Sequence, residues 1–276
     1  MTMKWPAIPI CSATGPYPLP RPCTRILIRA ALFWIAVLSA VFFGSAAAAS
    51  PASLPFKVGE QIEYTISWEN VPAGTACFRV LDHRVVKGEK TWHFELTARS
   101  NRFVDIIYKI RDRLESFTDA DFSRSVLYKK TQTGRADKKV VVWFDWEKRT
   151  ATYANHGGKR PSIAVPDQTF DPLASFYKLR TLDLKNQNAL FFPVSDGKKC
   201  FIQKGEILKK ESLTIASGTY DTYLVLPSLT HFSGVFERSK NPGVKVWVSA
   251  DKRQIPVRIA IKVAIGYVLF DLVSVH

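Results

Sequence analysis

The chain has 276 residues, of which 46% are hydrophobic, and its 39 basic and 24 acidic residues give a net charge of +15. This length and apolar content suffice for one large domain with a substantial core. The positive charge suits a polyanionic partner, or it merely keeps the protein in solution. The first fifty residues decide which polyanions are relevant, because their pattern excludes the cytosol.

The N-terminal fifty residues have the pattern of a cleaved signal peptide. Arg21, Arg25 and Arg29 precede an apolar run at 30–43, and residues 44–50 (GSAAAAS) supply a small-residue cleavage site. Arg29 keeps the apolar run short of the roughly 20 residues that span a bilayer, which favours a cleaved leader over a retained membrane anchor. We expect export to the periplasm, which excludes cytosolic, ATP-driven and nucleic-acid functions.

The positions of the cysteines bear on whether the mature chain carries a lipid or a disulfide. Cys11 and Cys23 lie before the apolar run and none is close behind it, so we expect a product that is not lipidated. Cys77 and Cys200 remain, and an oxidising compartment would permit a disulfide between them, with two separate buried thiols as the alternative. Removing the leader lowers the net charge to +11. Anionic phospholipids, lipopolysaccharide and acidic polysaccharides are then the relevant polyanions.

Strict alternation of apolar and polar residues predicts strands with one wet face. In 61–69 the apolar set is Ile62, Tyr64, Ile66 and Trp68. A Pro/Gly turn at 70–74 makes the next strand its hairpin partner. The further predicted strands are 75–83, 91–99, 109–117, 125–133, 139–146, 150–155, 199–203, 206–217, 219–226, 244–249, 255–263 and 267–275.

The periodicity changes once, near residues 171–180. Asp171 suits an N-cap, Pro172 suits the first helical position, and Leu173, Phe176 and Tyr177 recur at helical spacing. One short helix is predicted here.

The pattern as a whole predicts a mainly β protein. Residues 1–49 are the leader with an N-terminal extension, and residues 50–276 form one domain. Short turns and few helices favour a single curved antiparallel sheet that forms an open or closed barrel, with a β-sandwich as the alternative.

Large aromatic residues lie on the predicted concave face. They either fill the interior or line a cavity that the helix covers, and the sequence does not separate these cases. The candidate ligand-binding residues are Tyr64, Trp68, Trp92, Phe94, Phe176 and Tyr177.

No motif predicts catalysis or metal binding. The histidines lack metal-ligand spacing, and Gly-x-Ser-x-Gly, Walker and Rossmann patterns are absent. The pairs Asp119/Asp121 and Asp167/Asp171 could divide acid and base roles, although turn and capping chemistry explains both. We expect no enzyme activity, metal or cofactor. The histidines are His83, His93, His156, His231 and His276.

Two basic clusters surround predicted hairpins. On one rim they would form an edge that faces a membrane leaflet or a lipopolysaccharide phosphate, and otherwise they are ordinary surface. The first contains Lys129, Lys130, Arg135, Lys138 and Lys139, and the second contains Lys198, Lys199, Lys204, Lys209 and Lys210.

Four segments resemble a bacterial exported family, the domain of unknown function 3108. They are 55–68 (PFKVGEQIEYTISW), 72–76 (PAGTA), 171–180 (DPLASFYKLR) and 246–265 (VWVSADKRQIPVRIAIKVAI). The resemblance implies a barrel-like antiparallel fold in the Gram-negative envelope and no established activity.

A more distant similarity of fold links the C-terminal strands to the lipoprotein-localisation factors, which hold acyl chains in a half-barrel. It rests on Trp247, Asp251 and 255–257 (IPV). We therefore expect a periplasmic, non-enzymatic protein that binds a lipid, a lipoprotein acyl chain or lipopolysaccharide. The alternatives are an envelope scaffold in polysaccharide or outer-membrane assembly and, last, an envelope hydrolase. The sequence does not indicate an oligomeric state.

Overall fold

Fifteen strands and two helices make up the described part of the chain. The computed structural model describes residues 53–69, 71–134, 137–228, 243–263 and 266–276, and the predicted leader, His231 and Arg135 lie outside these ranges. The strands are β1 (Gln61–Trp68), β2 (Val71–Val86), β3 (Glu89–Ser100), β4 (Ile110–Asp119), β5 (Ser125–Gly134), β6 (Lys138–Asp145), β7 (Thr150–Asn155), β8 (Gly158–Lys159), β9 (Ile163–Ala164), β10 (Ala189–Ser195), β11 (Cys200–Ile215), β12 (Gly218–Pro227), β13 (Val244–Ser249), β14 (Pro256–Lys262) and β15 (Tyr267–Val275). The helices are α1 (Arg102–Tyr108) and α2 (Pro172–Leu179).

All fifteen strands belong to one antiparallel sheet. Its order is β10-β11-β12-β13-β14-β15-β1-β2-β3-β4-β5-β6-β7-β8, with β9 also paired to β7. Neighbours in this order are neighbours in sequence, except that β15 pairs with β1. The first and last strands therefore join two meanders, and the prediction of a mainly β, single antiparallel sheet is confirmed.

The sheet curls around α2. Val142 on β6 and Val257 on β14 belong to the same buried core, although six strands separate β6 from β14 in the sheet. In a flat sheet these strands would lie about 34 Å apart. Alternation places the core on the inner face, since Ile62 and Tyr64 are buried whereas Thr65 beside Tyr64 is exposed.

Hydrogen bonds between strands do not close the barrel. Within the described ranges no ladder joins β10 to β7, β8 or β9. The extended segment 169–171 instead links edge strand β10 to the start of β5: the Ser125 amide donates to the Thr169 carbonyl at 3.0 Å, and the Ser195 amide donates to the Phe170 carbonyl at 2.9 Å. The protein is thus an open barrel in which one segment joins an edge strand to an interior strand across the core.

The sequence predicts one of the two helices. Helix α2 matches the predicted span and begins after Asp171, as expected. Helix α1 was not predicted, because its seven residues are too few to show a helical period, although Asn101 caps it by accepting from the Val104 amide at 2.9 Å. Neither helix is long and apolar enough to cross a membrane.

Candidate functional site

A buried carboxylate fixes the first turn of α2. The Asp171 side chain accepts from the amides of Leu173 and Ala174 at 2.9 and 3.0 Å, and from the hydroxyls of Ser116 and Ser125 at 2.6 Å each. Asp171 is fully buried, and this burial raises the pKa of its carboxyl despite the four hydrogen bonds. The N-cap thus ties the helix to β4 and β5.

A buried ion pair fixes the other end of α2. Arg180 comes directly after the last helical residue, is 0% exposed, and donates to both carboxylate oxygens of Glu60 at 2.5 and 3.0 Å. It also donates to the carbonyls of Pro55 at 2.8 Å and Arg253 at 3.1 Å. The helix is therefore attached to the chain before β1 and to the turn before β14.

An apolar groove runs along the side of α2 that is not packed in the core. Its volume is about 340 Å³, and sixteen of its twenty lining residues have apolar side chains. Pro172, Ser175, Phe176 and Leu179 of the helix form one wall. The sheet supplies the rest: Phe78, Leu96, Leu114, Leu190, Phe192, Gln203, Lys204, Gly205, Val225, Pro227, Val244, Val246, Pro256, Ile259 and Ile261, and Leu173 completes the set.

The groove is open because of how the helix is oriented. The opposite side of α2 carries Tyr177, whose ring stacks on Phe94 at 4.1 Å between ring centres. Phe176 stacks on Phe78 at 4.1 Å and forms a groove wall. The buried attachments at Asp171 and Arg180 prevent the helix from sliding over the β10–β14 side of the sheet. The concave face is accordingly packed on one side of the helix, whereas the groove lies on the other side, where Leu190, Val225 and Val246 form a second buried cluster.

The structure distributes the six predicted ligand-binding residues over four environments. Phe176 lines the groove. Tyr64, Phe94 and Tyr177 lie in the packed core, where the Tyr64 hydroxyl donates to the Pro256 carbonyl at 2.7 Å and burial raises the pKa of Tyr64. Trp92 packs edge-on against Phe56 near the core, and Trp68 is 46% exposed at the end of β1.

Sequence reasoning missed most of the groove lining. Val246 and Ile259 lie opposite one another on two of the predicted strands, and both line the groove together with Ile261. Alternation identifies the face, but it does not indicate which part of that face a helix leaves uncovered.

The candidate disulfide is absent, since Cys77 and Cys200 are both free thiols. The two residues lie on opposite faces of the sheet. Cys77 is opposite Glu63 on the outer face, whereas Cys200 packs against the inner core. Burial raises the pKa of both thiols, which disfavours the reactive thiolate.

The candidate acid and base residues have structural roles. Asp119 accepts from the Ser123 amide at 2.6 Å in a turn, and Asp167 pairs with Arg149 at 3.1 Å on the surface. Asp171 is the buried helix cap. The described residues contain no cluster of three or more His, Cys, Asp or Glu side chains suited to a metal ion.

The two basic clusters approach one another. Burial lowers the pKa of Lys130, and the positive charges of Lys138 and Lys198 contribute to the same shift. In contrast, Lys209 and Lys210 pair with Glu211 at 2.8 Å and Asp221 at 3.3 Å. The carboxylates of Asp112 and Asp196 oppose this shift, so Lys130, Lys138 and Lys198 lie in a region of mixed charge, and part of the second cluster is neutralised.

The open barrel with an internal helix and an apolar groove defines a class of barrel-like β proteins. The chain belongs to the family described as "Protein of unknown function (DUF3108)", whose model matches residues 63–273. No curated protein matches the sequence.

Two solved structures are similar to this chain. A beta-barrel-like protein of domain of unknown function DUF1849 from Brucella abortus has 9% identity and a TM-score of 0.52, and the match covers 78% of this chain and 96% of that chain. A protein from Bacteroides fragilis, described as exported and of YmcC-like fold, has 9% identity and a TM-score of 0.34, with 81% and 98% covered. The first similarity supports the fold alone.

Proposed function

We propose that the protein is an exported, non-enzymatic binding protein that holds an acyl chain of an amphiphile in the groove beside α2. The amphiphile classes are a lipid, a lipoprotein acyl chain and lipopolysaccharide. The observation that carries the proposal is the groove itself, about 340 Å³ in volume and lined almost entirely by apolar side chains. Export rests on the arginines, apolar run and small residues at 21–50.

The size of the groove suits part of an acyl chain. At about 30 Å³ for each water-sized group, it has room for roughly ten methylenes. Each methylene removed from water contributes about 0.8 kcal/mol, so roughly ten would contribute about 8 kcal/mol before the cost of association. The volume lies at the lower end of the range of about 300–1,000 Å³ that is typical of small-molecule sites.

The polar groups beside the apolar wall are few and uncharged. Gln203 lines the groove, and its Nε2 donates to the carbonyls of Lys204 at 2.7 Å and Ser228 at 3.1 Å. Lys204 is exposed and lies opposite the exposed Phe191 on β10, so its side chain belongs to the outer face of the sheet and only its backbone lines the groove. The groove thus offers an acyl chain no charged neighbour, and the head group of an amphiphile would remain in solvent.

A groove-filling substitution tests the proposal. Gly205 lines the groove, and a Cβ there would make ordinary contacts at 3.5 Å or more. Gly205→Ala should retain binding of a fluorescent fatty-acid probe. Gly205→Leu should displace about three methylenes, worth ~2.4 kcal/mol, and weaken binding roughly 60-fold.

Gly243→Leu is the matched control, since Gly243 does not line the groove and, among the described residues, a Cβ there would meet only the Lys262 side chain, at 3.7 Å. It should bind the probe as the unsubstituted protein does. If the unsubstituted protein does not take up the probe, or if Gly205→Leu binds it as well as Gly205→Ala does, the groove is not the binding site.

A further inference from the structure

Helix α1 exposes apolar side chains at one end of the barrel. It connects β3 to β4, and two of its side chains point into solvent: Phe103 is 64% exposed and Ile106 is 83% exposed. Val71, which begins the neighbouring strand β2, is 48% exposed. Large apolar side chains grouped in this way at a tip are typical of interaction surfaces.

A basic cleft lies beside these side chains. It has a volume of about 340 Å³ and is lined by Arg99, Arg102 and Arg111 together with Asp105 and polar groups of β2 and β3. Asp105 is engaged by Arg111, at 2.6 Å between Nη2 and Oδ2 and 3.0 Å between Nη1 and Oδ1. Within the described ranges neither Arg99 nor Arg102 forms an ion pair, and both are exposed. The cleft thus holds three guanidinium groups against one carboxylate.

We propose that this α1 tip docks on the head-group layer of an anionic phospholipid bilayer, with Phe103 and Ile106 inserted at the interface and a lipid phosphate in the cleft between Arg99, Arg102 and Arg111. The charge of the cleft is complementary to phosphate, and guanidinium groups bind phosphate through paired hydrogen bonds. Apolar side chains next to basic ones are the combination that binds at a membrane surface.

The position of the tip also relates it to the groove. Leu96 and Leu114, which line the groove, are paired on β3 and β4 four residues from the ends of those strands that α1 connects. Four residues of strand span about 13 Å. Docking at α1 would thus bring the groove-lining strands close to the bilayer. The inference stands on the tip alone and does not require the groove to be occupied.

Co-sedimentation of the full chain with lipid vesicles tests the proposal. We expect binding to vesicles of phosphatidylcholine and phosphatidylglycerol in equal parts, weaker binding to phosphatidylcholine alone, and loss of binding as salt is raised. Each basic side chain near an anionic surface is worth about 1 kcal/mol, so Arg99→Gln with Arg102→Gln should weaken binding about 30-fold. Phe103→Ser with Ile106→Ser should weaken it at least about tenfold.

Matched controls come from the other end of the sheet. Val85 is 73% exposed, and Lys90 and Lys252 are exposed at the ends of strands remote from α1. Val85→Ser, and Lys90→Gln with Lys252→Gln, should bind vesicles as the unsubstituted protein does. All variants should keep the original thermal unfolding temperature and fatty-acid probe binding, which separates this inference from the groove proposal.

Three results would overturn the inference. The first is equal binding to neutral and anionic vesicles. The second is a control pair that weakens binding as much as the α1 variants do. The third is failure of the unsubstituted protein to sediment with anionic vesicles at low salt. If, in addition, a protein partner protects the α1 tip from hydrogen exchange, the tip is a protein-binding surface.

Discussion

The attachment of α2 through Arg180 gives the sharpest stability prediction. Arg180→Met removes the guanidinium but retains much of its volume, and it leaves the Glu60 carboxylate, 6% exposed, without its partner. Breaking a buried pair in this way typically costs about 3–5 kcal/mol. At about 2–4 °C per kcal/mol for a domain of this size, the melting temperature should fall by roughly 12 °C.

A double-variant cycle tests whether the unpaired Glu60 carboxylate causes the loss of stability. If the cost arises from the stranded charge, then adding Glu60→Gln to Arg180→Met should restore a large part of the lost stability, as measured by urea unfolding. Arg149→Met is the control, because its partner Asp167 is 60% exposed and the pair lies at the surface, so no measurable change is expected. A loss below about 1 kcal/mol in Arg180→Met, or a double variant no more stable than the single one, would show that the unpaired charge is not the cause.

Three further predictions concern other buried features. Burial raises the pKa of Asp171 in the folded state. The stability of the protein relative to Asp171→Asn should therefore be greatest below about pH 4 and should decline as pH rises through that raised pKa. Urea unfolding across pH measures this difference in stability, and a difference that grows with pH would contradict the prediction. Cys77 and Cys200 should both react with a thiol reagent after unfolding without reductant, whereas unreactive thiols would indicate a bridge. Gly197→Ala should lower the free energy of unfolding by about 3 kcal/mol, because φ is +79° and a Cβ would lie 2.7 Å from a side chain on β6. Gly157→Ala, with φ +83° and no described neighbour within 4 Å, should lower it by only about 1 kcal/mol. Urea unfolding of the two variants measures the difference.

The sequence predicted the strands and the start of α2 well, because alternation and helix capping depend on neighbouring residues in the chain. The alternation of Ile62 and Tyr64 with polar residues predicted β1 and its buried face, and the Asp171–Pro172 pair predicted where α2 begins. The side chain of Asp171 also satisfies two distant hydroxyls, which the sequence does not reveal.

The site depended on long-range contacts, and sequence reasoning could not supply them. A basic residue directly after a helix, as Arg180 is, is usually solvated, yet Arg180 is fully buried against Glu60, which lies 120 residues earlier in the chain. That pairing helps decide which part of the sheet the helix covers. The open part of the concave face, and hence the groove, results from it.

The segment 171–180, DPLASFYKLR, acquires a physical explanation from these contacts. Its first residue attaches the helix to β4 and β5, and its last residue attaches it to Glu60. Between them Phe176 faces the groove and Tyr177 faces the core. The segment thus positions one helix so that the core packs against one of its sides and the groove lies along the other.

Native mass spectrometry of the protein purified from the cells that express it is the decisive test of amphiphile binding. We expect a population carrying one bound amphiphile per chain, released on unfolding and identifiable by its acyl chain, and greatly reduced in Gly205→Leu but not in Gly243→Leu. A protein recovered only in its unliganded mass, under conditions that preserve a known lipid complex, would contradict it.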